Sequence, residues 1–170
     1  GIGAKTAERI VSAFGDDSIR IMREEPEKLS RIKGITAAKA RQISVNMVEK
    51  GDFQELSLLL TPFGIGAGRI LSIYKRFGSS SQFVVKNNPF RLADEVNGIG
   101  FHTADSLASH FGCDASSPYR IGSAIMYCIL QAENEGHTYL PLMTLLDRAK
   151  TLLLFSPEDE TVKPALEAGY

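Results

Sequence analysis

The chain has 170 residues, 44% hydrophobic and 23% charged, with a formal net charge of -1; this is globular composition with apolar material for one or two cores. No window reaches the roughly eighteen apolar residues of a membrane span. A charge so near neutral argues against a strongly basic nucleic-acid footprint, so any phosphate binding must rest on backbone donors and a few placed cations.

The first predicted element is a helix in GIGAKTAERIVSAFG, residues 1–15, ending at Gly15. Pro26 suits the first turn of a short helix before GITAAKARQISVNM, residues 34–47, a second helix behind a glycine turn. Residues 53–60 read helical and lead into GIGAGRILSIYKRFG, residues 64–78. Pro89 to Val96 is another short helix, followed by GIGFHTADSLASHFG, residues 98–112. The leading glycines Gly1, Gly34, Gly64 and Gly98 recur every 30 to 34 residues, a period that marks an internal repeat. The larger unit repeats too: FGDDSIRIMREEPEKLSRIKGI (14–35) aligns with FGSSSQFVVKNNPFRLADEVNGI (77–99), sharing a Pro and a Leu three residues on. The reading is an all-α chain of helix, glycine turn and helix, four times over, as two pairs.

Register supports the repeat. Ala7, Ile10, Val11 and Phe14 occupy the i, i+3, i+4, i+7 stripe, and so do Ala40, Ile43, Ser44 and Met47, then Ile70, Ile73, Tyr74 and Phe77, then Ala104, Leu107, Ala108 and Phe111. Three helices end in Phe-Gly, at Gly15, Gly78 and Gly112, where a left-handed cap is expected.

The C-terminal third begins with Ile121, Ala124, Ile125, Cys128, Ile129 and Ala132 on one helical face. In GHTYLP, Gly136 stops that helix, a very short extended piece follows, and Pro141 opens another helix with an apolar stripe at Leu142, Leu145, Leu146, Ala149 and Leu153. A third helix is expected over Glu158 to Leu166, behind an acidic first turn. Helix, short strand, helix, helix is the start of a winged-helix-like module, truncated before its wing. With Lys163 among Glu158, Asp159, Glu160 and Glu167, its last helix reads as packing rather than base-reading. The expected boundaries are 1–50 for the first hairpin pair, 51–115 for the second and 116–170 for this module.

Lys and Arg outnumber Asp and Glu ten to seven over residues 1–50, balance at five each over 51–112, and trail four to eight over 113–170. Cys113 and Cys128 lack metal spacing and read as reduced structural thiols, which suits a cytoplasmic protein. No secretory leader pattern opens the chain, which reads as a fragment of a longer protein.

The glycine turns carry the chemistry. A tight turn between packed helices needs positive φ, which the first glycine supplies. The isoleucine after it (Ile2, Ile35, Ile65, Ile99) should point inward, while Gly3, Gly66 and Gly100 leave helix-start amides uncovered. Uncovered amides and the positive end of the helix dipole make an anion site. Lys5, Lys39, Arg69 and His102 follow at +4 or +5 from each leading glycine, placed to add a charge-assisted bond. Two other phosphate motifs fail. GIGAKT has Ala4 where a nucleotide loop needs glycine, and GIGFHT has Thr103 where a dinucleotide fingerprint needs its third.

Hydrophobic, Gly, hydrophobic, Gly, then a helix with a small residue near its start (Ala7, Ala40, Ala104; Ile70 departs) resembles the helix-hairpin-helix family. That resemblance implies pairs of hairpins gripping nucleic-acid phosphates, without reading sequence, through the amides at Gly1, Gly3, Gly64, Gly66, Gly98 and Gly100. Gly34 belongs to the set less fully, because Thr36 replaces its second glycine. NPFRLADEVNGIGFHTAD (88–105) followed by YRIGSAIMYCILQAENEGHTYLP (119–141) is similar to the N-terminal region of RecD-like DNA helicases of the longer bacterial form. The resemblance implies a parent enzyme that unwinds DNA 5′ to 3′ with ATP and magnesium, acting in repair or recombination, with its motor domains on the same chain. The fragment itself carries no expected catalytic residue, no metal-ligand set and no cofactor, although some relatives hold a monovalent cation in a hairpin. The expected partner is single-stranded or forked DNA, bound independently of sequence. A scaffold that orients the motor or a repair partner without touching DNA also fits, as does the hairpin domain of a ligase, nuclease subunit or junction binder.

Overall fold

The structure is a computed structural model and describes residues 2–154. The described residues are helical, with no strand among them. By compactness the chain divides into two units, Gly1–Leu59 and Leu60–Tyr170.

In the first unit, helix α1 (Ala4–Phe14) is followed by a 3₁₀ turn at Gly15–Asp17, helix α2 (Ser18–Glu24), a 3₁₀ segment (Pro26–Arg31) and helix α3 (Ala37–Leu60). Ile10, Ile21, Leu29, Ile35, Ala40 and Ile43 form its core. The stripe expected along α1 is buried at Ile10 only; Ala7 is exposed and Val11 is 58% exposed. The segments 34–47 and 53–60 are one continuous helix that passes through Gly51, so residue 50 lies inside α3. Glycine lowers helix stability without forbidding it, and α3 runs through it with Ala40 and Ile43 buried before it and Leu56 and Leu60 buried after it.

In the second unit, a 3₁₀ turn (Thr61–Phe63) precedes α4 (Ala67–Phe77), another 3₁₀ turn (Gly78–Ser80), α5 (Ser81–Asn87), α6 (Phe90–Glu95) and α7 (Phe101–His110). Helices α8 (Pro118–Asn134) and α9 (Leu142–Leu153) complete the described part. One core joins Phe90 of α6, Phe101, Ala104 and Ala108 of α7, Ile121, Ile125 and Cys128 of α8, and Leu145, Leu146 and Ala149 of α9. The C-terminal helices therefore pack directly on the fourth hairpin. Arg120 of α8 locks that contact by a two-point bond to Asp105 of α7, Nε to Oδ1 at 2.6 Å and a terminal nitrogen to Oδ2 at 3.1 Å.

The duplication is visible in the backbone. Gly15 and Gly78 end α1 and α4 with φ/ψ of 52/-130° and 55/-136°. These are positive-φ glycines as expected, but outside the left-handed helical well. In both units the serine three residues on, Ser18 or Ser81, is buried and donates its hydroxyl to the glycine carbonyl, at 2.5 and 2.6 Å. Leu29 and Leu92 are both fully buried. The copies differ by one residue between that leucine and the next leading glycine: five positions separate Leu29 from Gly34, six separate Leu92 from Gly98. The shorter copy winds as 3₁₀ and the longer as α, in keeping with their three and 3.6 residues per turn. The added residue aligns with Glu95, which Arg76 and Arg91 hold at 2.5 and 2.6 Å.

The segment from His137 to Leu140 forms no strand, so the short extended piece of the winged-helix-like module is irregular chain. Its expected helix over 158–166 lies outside the described residues. Ile129 and Leu142, assigned to buried stripes by periodicity, are 37% and 59% exposed. Cys113 and Cys128 are free thiols, the latter buried.

Candidate nucleic-acid interface

The second, third and fourth hairpins each have an exposed leading glycine, a buried isoleucine and an exposed cap position, while Ile2 of the first is partly buried. Ile35, Ile65 and Ile99 are 5%, 3% and 5% exposed, so their burial anchors the turn and faces its backbone outward. Gly34, Gly64 and Gly98 hold φ of 92°, 71° and 83°, a region costly to residues with a Cβ. Gly1 lies outside the described residues.

The second position of each hairpin decides what happens to the amides behind it. Gly3, Gly66 and Gly100 are N-caps in extended conformation, and none supplies a side-chain capping bond. The first internal bonds behind them are Thr6 N–H to Gly3 O, Arg69 N–H to Gly66 O and Thr103 N–H to Gly100 O. The amides before those bonds are first-turn donors that the helix cannot satisfy. A Cβ at Gly3, Gly66 or Gly100 would meet nothing within 4 Å, so the space in front of these turns is open. At the second hairpin, Thr36 Oγ1 accepts the Lys39 amide at 3.2 Å. The counterparts of that amide at Thr6, Arg69 and Thr103 donate to the glycine carbonyls instead, so the second hairpin differs in the side chain that stands at its turn and not in the number of amides left open.

Lys5, Lys39, Arg69 and His102 are all exposed, and one of them reaches a neighbouring hairpin. A Cβ on Gly98 would stand 3.3 Å from Arg69 Nε, so the third hairpin's helix lays its guanidinium against the leading glycine of the fourth. Arg69 has no hydrogen-bond acceptor among the described residues. In the first unit Arg9 takes the corresponding place, 3.5 Å from a Cβ on Gly34, and donates to the Lys33 carbonyl at 3.1 Å. Arg9 stands outside the +4 and +5 register that singled out the other cations, so periodicity gave no signal for it. His102 leans edge-on against Tyr127 of α8, ring centroids 5.2 Å apart, a contact that needs the fold to bring residues 25 positions apart together.

The described residues contain no group of three or more His, Cys, Asp or Glu able to hold a metal ion, and no helix long and apolar enough to cross a membrane. What each hairpin offers is a set of outward donors with a basic side chain nearby, suited to anionic oxygens.

Residues 49–139 match the family model described as the ATP-dependent RecD2 DNA helicase HHH domain, and residues 1–45 match that of the SAM-like helix-hairpin-helix tandem. The chain is 29% identical over 142 residues to the ATP-dependent RecD2 DNA helicase of Deinococcus radiodurans, an alignment covering 83% of this chain and 20% of that protein. The chain thus spans about a fifth of the relative's length.

Proposed function

The chain belongs to the family of the ATP-dependent RecD2 DNA helicase HHH domain, and from that premise we propose that it is the sequence-independent DNA-binding region of a 5′-to-3′ DNA helicase acting in repair or recombination in the cytoplasm. The observation that carries this reading is the set of glycine-capped helix starts at Gly3, Gly66 and Gly100, exposed and without side-chain caps. Phosphates of single-stranded or forked DNA dock on those amides, with Lys5 and Arg69 adding charge and His102 a ring N–H beside them. ATP and magnesium serve the motor domains of the parent protein, which this region tethers to the strand. A monovalent cation at a hairpin would be held by its backbone carbonyls, where it would offset phosphate charge.

Because backbone dipoles supply much of the attraction, affinity should fall only gently with salt, by about two to four released counterions at ~0.7 to 0.9 per phosphate contact. Titration of labelled single-stranded, duplex and forked DNA at several salt concentrations tests this. Sequence-tolerant binding with a shallow slope is expected, and a steep slope or strict sequence preference would count against it.

A scaffold reading draws on the apolar residues that α8 and α9 leave exposed, Leu130 at 51% and Met143 at 67% among them. No response to any DNA at tens of micromolar protein would favour it.

A further inference from the structure

Beside the fourth hairpin lies a recess of about 110 Å³, lined by Asp94, Ile99, Gly100, Phe101, Ser123 and Tyr127. Gly100 is the exposed helix start to which the DNA reading assigns a phosphate, so the recess opens within one nucleotide of that phosphate. Its floor is apolar, because Ile99 and Phe101 are 5% and 2% exposed. Tyr127 supplies an aromatic wall, with its ring centroid 5.9 Å from that of Phe101 and 5.2 Å from that of His102. Its rim carries one acceptor. Asp94 Oδ1 takes the Ser123 hydroxyl at 3.2 Å, which orients the carboxylate and leaves Oδ2 without a partner among the described residues. At about 110 Å³ the recess is smaller than the closed apolar cavity of about 150 Å³ that accommodates benzene, so a planar ring enters it in part and leaves its remaining edge in solvent.

We propose that this recess receives an unpaired nucleobase of the strand whose phosphate sits at Gly100, with the ring against Tyr127 and Phe101 and a base N–H donated to Asp94. This rests on the DNA-binding reading and sharpens it to single-stranded DNA, since a paired base cannot leave its stack without a cost of a few kcal/mol. Every base has a π-face and an edge N–H, so the pocket tolerates sequence while rejecting a strand that has no bases. The carboxylate accounts for an acidic residue beside a phosphate site: it faces the base edge rather than the backbone.

The 170-residue chain is titrated with a natural single strand and with an abasic strand of equal length and charge. The natural strand should bind about tenfold more tightly, and 2-aminopurine placed in it should be quenched on binding, read without interference because the chain has no Trp. Asp94→Ala removes a negative charge near both strands, so its readout is the ratio of the two affinities, which should shrink about threefold. Equal affinity for natural and abasic strands, with 2-aminopurine unquenched, overturns the recess and leaves the phosphate reading standing. Failure of both strands to bind overturns both. An unchanged ratio in a folded Asp94→Ala protein removes the role of that carboxylate.

Discussion

The second and fourth hairpins, which correspond in the two pairs, share a backbone and differ in the side chains that stand at the turn. In the first unit Thr36 caps the Lys39 amide and Arg9 spends its guanidinium on the Lys33 carbonyl. In the second, Gly100 cannot cap, and Arg69 lies against Gly98 with no acceptor among the described residues. Hydrogen-bonding capacity spent internally is unavailable to a ligand, and buried capacity left over is costly; in the second unit the surplus faces open space. Duplication has preserved the turns, while Thr36 and Arg9 set the second hairpin apart from the fourth; the first hairpin, at Gly3, keeps the uncapped start of the third and fourth. The cores diverge as well, because α8 and α9 cover α7, where Ala108 is buried, whereas Val11 at the matching position of α1 is exposed.

The largest test asks whether the copies are equivalent as folds. Leu29 and Leu92 are both fully buried, so Leu29→Ala and Leu92→Ala should each cost about 2 to 5 kcal/mol by lost burial and cavity formation. Hydrogen exchange should show the loss confined to residues 2–59 in the first case and 60–154 in the second. Loss spread evenly over the chain would deny that the copies are separate cooperative units.

A smaller effect separates the two glycines of the fourth hairpin. Gly98→Ala forces a Cβ onto φ of 83° and to 3.3 Å from Arg69 Nε, at a cost of about 1 to 2 kcal/mol. Gly100 has φ of -103° and open space, so Gly100→Val should fold with its melting point nearly unchanged and bind DNA several-fold more weakly, because the side chain screens the amides. If the valine variant folds normally and binds like the parent protein, these amides are not the contact. Thr36→Gly is the converse at the second hairpin. It should cost only a few tenths of a kcal/mol, as cap replacement by glycine does, and clear a side chain from the second hairpin's turn, measured as a modest gain in DNA affinity.

Much of this was legible in the residues. The period of the leading glycines, the buried isoleucines and the glycine at each tight turn follow from local chemistry, which sequence displays directly. Whether a stripe is covered was not legible: Val11 and Ala108 hold one register position, and only α8 and α9, packed from elsewhere in the chain, decide between exposure and burial. Gly51 shows the same limit, since a residue that often ends helices sits inside one here. Arg69 was marked by its spacing from Gly64, yet its position against Gly98, 29 residues away, is a tertiary fact. Arg9 and the partnership of His102 with Tyr127 carried no local signal for the same reason.

The smallest expected effect comes from the residue by which the copies differ in length. Hydrogen bonding from Arg91, aided by the Arg91 and Arg76 charges, holds the Glu95 carboxyl below its ordinary pKa. Its contribution to stability is therefore present above the unfolded value and lost as pH falls through the folded one. Asp94 next to it is pushed the other way by burial, partly opposed by the Ser123 hydrogen bond. A raised carboxyl favours the folded state while protonated, and that contribution disappears as pH rises from the unfolded value through the folded one. The two neighbours thus oppose each other across the acid limb, in a unit whose duplicate has Arg31 where Asp94 stands and no residue at all opposite Glu95. Urea unfolding between about pH 3 and pH 7 should show a shallower acid loss for Glu95→Gln and a steeper one for Asp94→Asn. Both groups are partly solvated, so each change should be small, and the informative quantity is the sign. Slopes altered in the same direction would mean that the one-residue insertion introduced no opposed pair, and that the copies differ here in length alone.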